Sequence, residues 1–147
     1  MKTPIFFFLL LPLLLLTACS KQPVPINYGK DVCAYCKMTI TDARFASELV
    51  TKKGKNYKFD SIECLIHFLR EGSLKQEDIQ LFLVSDFKSP KNLIDATSAW
   101  YLISTDIQSP MGANLASFSR KEDAEKFKTE HSGTVFSWKE IQQELKN

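Results

Sequence analysis

The amino-acid sequence predicts an α+β fold of two packed ββαβ modules with a C-terminal helix, preceded by a signal peptide and a short tether. Two observations lead to this fold class. The same order of strand-like and helix-like patterns occurs twice after residue 30, and a helix-capping signal precedes each helical pattern. Each unit is too small to bury an adequate core alone, so we expect the module at 31–90 to pack against the module at 91–147.

Residues 1–18 have the features of a secretory signal peptide, with Lys2 before an apolar run that is too short to span a bilayer. The string Leu16-Thr17-Ala18-Cys19 resembles the lipobox of bacterial lipoproteins, in which the cysteine is acylated and becomes the mature N-terminus. We therefore predict lipidation of Cys19 and a tether over residues 19–30. The mature protein is then extracytoplasmic and anchored to the cell membrane, at the outer membrane facing the periplasm in a Gram-negative cell. The alternative is an ordinary signal peptide with an incidental cysteine.

The first module is predicted from a hairpin pattern followed by a helix pattern. Residues 44–52 and 56–59 are strand-like and flank a glycine-containing turn. Asp60 followed by Glu63 is a capping-box signal that starts a helix. The helix has an apolar stripe with the spacing i, i+3, i+4 and i+7, formed by Ile62, Leu65, Ile66 and Leu69. Residues 79–84 complete the module as a short apolar strand.

The second module repeats this order and adds a terminal helix. Strands are predicted at residues 99–103, 113–118 and 134–136. Ser119 with Glu122 is a capping-box signal for the first helix, and Ser137 with Glu140 is one for the last helix. We expect the last helix to bury Trp138, Ile141 and Leu145.

Composition excludes several classes of protein. Nineteen Lys and Arg residues against seventeen Asp and Glu residues give a net charge of +2, which is too low for a typical nucleic-acid-binding domain. No G-x-G-x-x-G or P-loop string occurs, so nucleotide chemistry is disfavoured. No Ser-His-Asp set is evident, and the acidic residues have the pattern of solvated helix faces. We therefore expect a carrier and not an enzyme.

The cysteines point towards metal binding. Once Cys19 is lipidated, Cys33, Cys36 and Cys64 remain, which is an odd number in a compartment that favours paired disulfides. A free thiol is a liability there, and binding of a metal ion would protect it. Cys36 and Met38 add a thiolate and a thioether two residues apart, a pair soft enough to select Cu(I). If the chain is extended here, both side chains face the same side. The alternative is that Met38 fills the core.

Three further candidate ligands lie elsewhere in the chain. Cys64 is in the first turn of the predicted helix, where the helix N-terminus favours a thiolate, and His67 is one turn later. Each has a simpler interpretation, since Cys64 also suits a buried apolar position and His67 a partly exposed one. Met111 stands between Pro110 and Gly112 in a loop, where the backbone presents its side chain. A loop residue that closes over the core is the alternative.

These motifs together resemble a known family. The chain has Tyr35-Cys36-x-Met38-x-Ile40, Phe59-Asp60 with Cys64, Pro110-Met111-Gly112, and the segment Phe118 to Phe127 with Gly133. In this it resembles the NosL proteins, copper-binding lipoproteins associated with nitrous oxide reductase. The resemblance implies two ββαβ modules and delivery of Cu(I) to the reductase, with the ligands at Cys36, Met38 and Met111. Lys37 is a departure, because many members have glycine there. Cys33 is a second departure, which leaves open whether Cys33 and Cys64 join the copper site or form a disulfide.

The metal is expected at the seam between the modules, because the first module supplies two soft ligands and the second supplies one. The resemblance implies nitrous oxide reductase, or another copper-accepting protein, as the partner, and a generic copper scavenger would have much the same sequence. A treble-clef-like zinc or heavy-metal module would instead use Cys33, Cys36, Cys64 and His67. A thiol-disulfide oxidoreductase using Cys33 and Cys36 is disfavoured, because its motif usually opens a helix and this one precedes a β-like string.

Overall fold

The computed structural model describes residues 21–72 and 74–146, so the predicted signal peptide and Cys19 lie outside the described residues. It has mixed α and β structure, as predicted. The strands are β1 (Ser47–Thr51), β2 (Asn56–Phe59), β3 (Ile79–Asp86), β4 (Ser89–Asp95), β5 (Trp100–Ile103), β6 (Leu115–Phe118) and β7 (Thr134–Phe136). The helices are α1 (Ile62–Arg70), α2 (Lys121–His131) and α3 (Trp138–Glu144), with a 3-10 turn at Gln76–Asp78. Within the described ranges, no helix is both long enough and apolar enough to cross a membrane.

The first sheet has the antiparallel order β2-β1-β3-β4. Strand β1 lies between β2 and β3, and all five of its residues are buried. Leu49 pairs with Tyr57 on one side and with Phe82 on the other. Helix α1 follows β2 after a gap of two residues and packs against β1 and β2, and Ile62, Leu65 and Ile66 of the predicted apolar stripe are buried. This arrangement holds the start of α1 beside the end of β2.

Strand β4 was not predicted. Its sequence, Ser89–Asp95, begins with a Ser-Pro pair and contains exposed Lys91 and Asn92, a polar pattern that resembles a loop. The strand forms because it lies at the edge of the sheet, where proline and exposed polar side chains are tolerated. The first sheet therefore extends to Asp95, and the boundary predicted between residues 90 and 91 falls inside this strand.

The second sheet has the order β6-β5-β7 and is formed by the three strands predicted for the second ββαβ unit. The predicted capping box at Ser137 is confirmed, since its backbone N–H donates to Glu140 Oε2 at 2.7 Å. The one predicted at Ser119 is wrong. Arg120 occupies the N-cap of α2 without a side-chain hydrogen bond, and the Ser119 hydroxyl instead donates to Asp86 Oδ2 at 2.8 Å. This bond ties α2 to the first sheet.

The start of α1 also differs from its prediction by one residue. Ser61, and not Asp60, is the N-cap, and its hydroxyl oxygen accepts the backbone N–H of Cys64 at 3.2 Å. The Asp60 side chain is buried instead of serving as the cap. Cys64 still lies in the first turn of the helix, as predicted.

The two halves share a core, as their small size led us to expect. One hydrophobic cluster contains Phe59 and Ile62 from the first half with Tyr101, Trp138 and Ile141 from the second. Direct hydrogen bonds also join the halves. The Ser117 hydroxyl donates to the Ser85 carbonyl oxygen at 2.6 Å, and the Phe87 backbone N–H donates to the Ser117 carbonyl oxygen at 2.8 Å.

Candidate metal centre

The segment that carries Cys33, Cys36 and Met38 folds into a tight loop. The Cys33 N–H donates to the Met38 carbonyl oxygen at 2.8 Å, and Lys37 N–H donates to the Cys33 carbonyl oxygen at 3.2 Å. The expectation of an extended chain from Cys36 to Met38 is wrong, because Lys37 has a φ of 64° in the left-handed region. Glycine adopts that conformation without strain, so the glycine that the resemblance led us to expect at position 37 would suit this turn better than lysine. The Lys37 ammonium group donates to the Ala34 carbonyl oxygen at 2.6 Å and so holds the turn.

This loop is fastened beside the start of α1. The Ala34 backbone N–H donates to the carbonyl oxygen of Lys58 at 2.8 Å, which places the loop against the end of β2. Helix α1 begins three residues after β2 and carries Cys64 in its first turn. As a result, the sulfur atoms of Cys33, Cys36 and Cys64 all lie within 4.8 Å of one another. All three cysteines are unpaired, with Cys33 and Cys64 buried and Cys36 half-buried.

Hydrogen bonds stabilise a thiolate at Cys33. The Cys64 thiol donates to the Cys33 sulfur and lowers the pKa of Cys33 to about 5, helped by the backbone N–H groups of Asp60, Cys36 and Tyr35. The same interaction raises the pKa of Cys64, because that thiol keeps its proton in order to donate it. This hydrogen bond therefore outweighs the helix N-terminus, which was predicted to favour a thiolate at Cys64. Burial raises the pKa of Cys36.

Two buried carboxyl groups flank the cysteines. Asp60 and Glu63 are both almost fully buried, and within the described ranges Asp60 Oδ1 and Glu63 Oε2 have no hydrogen-bond partner. Burial, together with the Cys33 thiolate, raises the pKa of Asp60. The other oxygen of Glu63, Oε1, accepts a short hydrogen bond from the Ser109 hydroxyl.

The bond between Glu63 and Ser109 fastens the methionine loop of the second half to α1. Ser109 also accepts the Gly112 backbone N–H at its carbonyl oxygen, at 3.0 Å, which closes a turn around Met111. Met111 is 39% exposed on this turn. Glu63 precedes Cys64, so the loop is held next to the helix residue that bears the third cysteine. Sequence reasoning missed Glu63 and Ser109, because no local pattern links residues 46 positions apart.

The two methionines do not fill the core. Met38 is 53% exposed and Met111 is 39% exposed, so the alternative that assigned them to core packing is wrong. Met38 remains connected to the cysteines through its backbone, because its N–H contacts the Cys36 sulfur. An exposed thioether on an ordered turn beside thiols is available to bind a soft metal ion.

His67 is half-buried, and its ring stacks on Tyr35 with the ring centroids 5.6 Å apart. Among the described His, Cys, Asp and Glu residues, it does not belong to the group whose ligand atoms lie within 4.8 Å of one another. The predicted zinc set therefore has three of its four residues together. Three soft sulfur ligands without a fourth suit Cu(I) better than tetrahedral Zn(II).

The chain is similar to known proteins over most of its length. A family model described as NosL matches residues 23–146. The copper-binding lipoprotein NosL of Stutzerimonas stutzeri is 32% identical over 132 residues, covering 86% of this chain and 69% of that protein. The crystal structure of the copper chaperone NosL from Shewanella denitrificans matches with a TM-score of 0.72 and 29% identity, covering 85% of this chain and 98% of that one. Since the family match spans most of the chain and the fold agrees as well, the protein belongs to the NosL family.

Proposed function

We propose that this protein is a carrier of Cu(I), which it binds through Cys36, Met38 and Met111 and passes to a copper-accepting protein. The observation that carries the proposal is that both methionines, Met38 and Met111, are exposed, while the Cys36 thiol is half-buried and unpaired. One thiolate with thioethers is a soft ligand set, which favours Cu(I) over harder ions. The names of the two relatives, one copper-binding and one a copper chaperone, support copper as the carried metal.

The position of the site suits transfer better than permanent storage. Met38 belongs to the loop before the first sheet, whereas Met111 belongs to a loop between two strands of the second sheet. Both side chains are exposed, so an incoming ligand of a partner can replace a thioether while Cys36 still holds the ion. Exchange of one ligand at a time requires no change in the oxidation state of copper.

Nitrous oxide reductase is the acceptor that we propose, because the family resemblance implies it. A protein that only scavenges copper is the alternative. Loading the protein with Cu(I) and mixing it with copper-free reductase separates the two. Recovery of reductase activity faster than with an equal amount of chelated Cu(I) supports delivery. Equal recovery from both sources supports scavenging.

The anchor at Cys19 keeps this carrier at the membrane. The first described residues lead from the predicted lipid site to the fold, where the Val24 backbone N–H donates to Glu48 Oε1 and Asn56 Oδ1, at 3.0 Å each. The chain is therefore fastened to the first sheet five residues after Cys19, and the copper site stays close to the membrane surface.

Replacing Cys19 by serine is expected to release the protein from the membrane or to leave its signal peptide uncleaved, because serine does not accept the thioether-linked lipid. Membrane fractionation, detergent partitioning and the mass of the N-terminal peptide measure this. Cys33→Ser serves as a control, since that cysteine lies inside the fold and has no place in lipidation. A Cys19→Ser protein that is processed and fractionates like the unsubstituted one would refute the anchor.

Replacing Met111 by alanine is expected to weaken Cu(I) binding at least about tenfold, which corresponds to about 1.4 kcal/mol, while the metal-free fold is retained. If Met111 is a ligand, the substitution removes one copper–sulfur bond. A core role would instead lower the free energy of unfolding by roughly 2–5 kcal/mol, the usual effect of replacing a buried methionine by alanine. Competition with a Cu(I) chelator and thermal melting of the metal-free variant distinguish the two roles.

The control for this variant is Val24→Ala, since Val24 is comparably exposed but lies outside the metal centre. Its Cu(I) affinity should equal that of the unsubstituted protein. Unchanged Cu(I) affinity in Met111→Ala would remove this residue from the proposed ligand set. Tight zinc binding that survives in Met38→Ala and Met111→Ala would favour the zinc module.

A further inference from the structure

We propose that Cys33, Cys36 and Cys64 form a second, inner position for Cu(I), which shares Cys36 with the outer position formed with Met38 and Met111. This inference rests on the proposed function and extends it. It assigns a role to the two cysteines that are additional to the family's ligand pattern, and it gives the carried ion two places within one protein.

The spacing of the sulfur atoms supports a single ion between them. A metal–thiolate bond is ~2.3 Å long, so three sulfurs arranged around one ion lie about 4 Å apart. The three sulfurs here are within 4.8 Å of one another, so small side-chain rotations bring them to that distance. No rearrangement of the backbone is required.

Backbone hydrogen bonds hold the three cysteines in place. The Cys33 N–H donates to the Met38 carbonyl oxygen at 2.8 Å and closes the cysteine loop, while the Ala34 N–H donates to the Lys58 carbonyl oxygen at 2.8 Å and fastens the loop to β2. The Ser61 hydroxyl oxygen accepts the Cys64 N–H at 3.2 Å, which fixes the third cysteine in the first turn of α1. A ligand set held in this way binds a metal ion with little reorganisation of the protein.

The ligand number favours Cu(I). Cys33 and Cys64 are buried, so water has little access to a fourth position, and His67 lies outside the group. Cu(I) tolerates three sulfur ligands, whereas Zn(II) in structural sites almost always takes four.

Cys36 is the residue through which the two positions exchange the ion. It is half-buried, between the buried Cys33 and Cys64 and the exposed Met38. Movement inward breaks two copper–thioether bonds and forms two copper–thiolate bonds, while the one proton that the Cys64 thiol shares with the Cys33 thiolate leaves to solvent and copper stays Cu(I). The inner complex has a larger buried negative charge, so we expect it to be the weaker of the two positions.

The test uses the full-length protein purified in detergent, kept reduced and free of oxygen, with Cu(I) as the probe. In Met38→Leu/Met111→Leu, which removes only exposed thioethers, we expect Cu(I) binding about 10–100-fold weaker than in the unsubstituted protein, with three sulfur neighbours by X-ray absorption. Adding Cys64→Ala should weaken this residual binding at least tenfold further, and melting of the metal-free variants checks the fold.

Two results would overturn the inner position. These are the loss of all Cu(I) binding in the double methionine variant, or residual binding that does not change with Cys64→Ala. A different result would overturn the outer position instead. If the double methionine variant binds as tightly as the unsubstituted protein, the outer ligands are wrong and the inner position stands.

Discussion

Replacing Cys36 by serine is expected to weaken Cu(I) binding at least about 1000-fold, or about 4 kcal/mol, the largest effect of any single substitution at the metal centre. Cys36 is the one thiol that the outer ligand set contains, and it is also a member of the inner cluster. A serine hydroxyl is a harder and weaker ligand for Cu(I). Both positions therefore lose a thiolate at once. Chelator competition on the reduced protein measures the change.

The matched control is Tyr35→Phe, which changes the neighbouring side chain but removes no sulfur. Its Cu(I) affinity should stay within about twofold of the unsubstituted protein, since the Tyr35 backbone N–H to Cys33 is retained. A Cys36→Ser protein whose affinity falls less than tenfold would show that Cys33 and Cys64 hold the ion without Cys36. That result contradicts the proposed ligands.

Replacing Gly133 by alanine is expected to lower the free energy of unfolding by about 3–5 kcal/mol, the largest effect on stability outside the apolar core. Gly133 has a φ of 121°, which side chains rarely adopt. A Cβ here would overlap the carbonyl oxygen of Ile103 and lie 3.0 Å from Leu102 Cδ1. Ile103 belongs to β5, the central strand of its sheet, so its backbone has no room to move. Urea denaturation measures the loss.

Gly72→Ala is the control for this effect. Gly72 also has a positive φ, 71°, but a Cβ at this position would meet nothing within 4 Å. Gly72→Ala should therefore lower the free energy of unfolding only by the amount that a left-handed backbone costs a side chain, about 1–2 kcal/mol. If the two variants lose equal stability, the close approach of β5 to Gly133 does not hold in solution.

The elements with a strong side-chain period were predictable, and those with a polar or irregular pattern were not. The stripe from Ile62 to Leu69 identified α1, and the apolar run at Ile79 identified β3. Strand β4 has no such pattern, because an edge strand needs few buried side chains. A capping signal in the sequence was reliable only where no distant side chain formed a hydrogen bond with the capping residue. Ser137 caps α3, whereas Ser119 bonds to Asp86 from a distant strand.

The candidate site was predictable residue by residue but not as an arrangement. The soft chemistry of Cys36, Met38 and Met111 is visible in the sequence, since it depends only on residue type and local spacing. The left-handed turn at Lys37 was not, because lysine gives no local signal for that conformation. The bond between Glu63 and Ser109, which holds the Met111 loop to α1, joins positions that no periodicity relates.

By itself, the sequence determined the α+β class, the order of most elements and the presence of soft sulfur side chains that could bind a metal ion, because burial period and side-chain chemistry are local properties. Only the tertiary structure decided that Cys64 joins Cys33 and Cys36, and that His67 stacks on Tyr35 outside their group. The position of the cysteine group depends on the hydrogen bond from the Ala34 N–H to the Lys58 carbonyl oxygen and on the residue at which α1 begins. Such contacts between distant segments form only when the shared core brings the segments together.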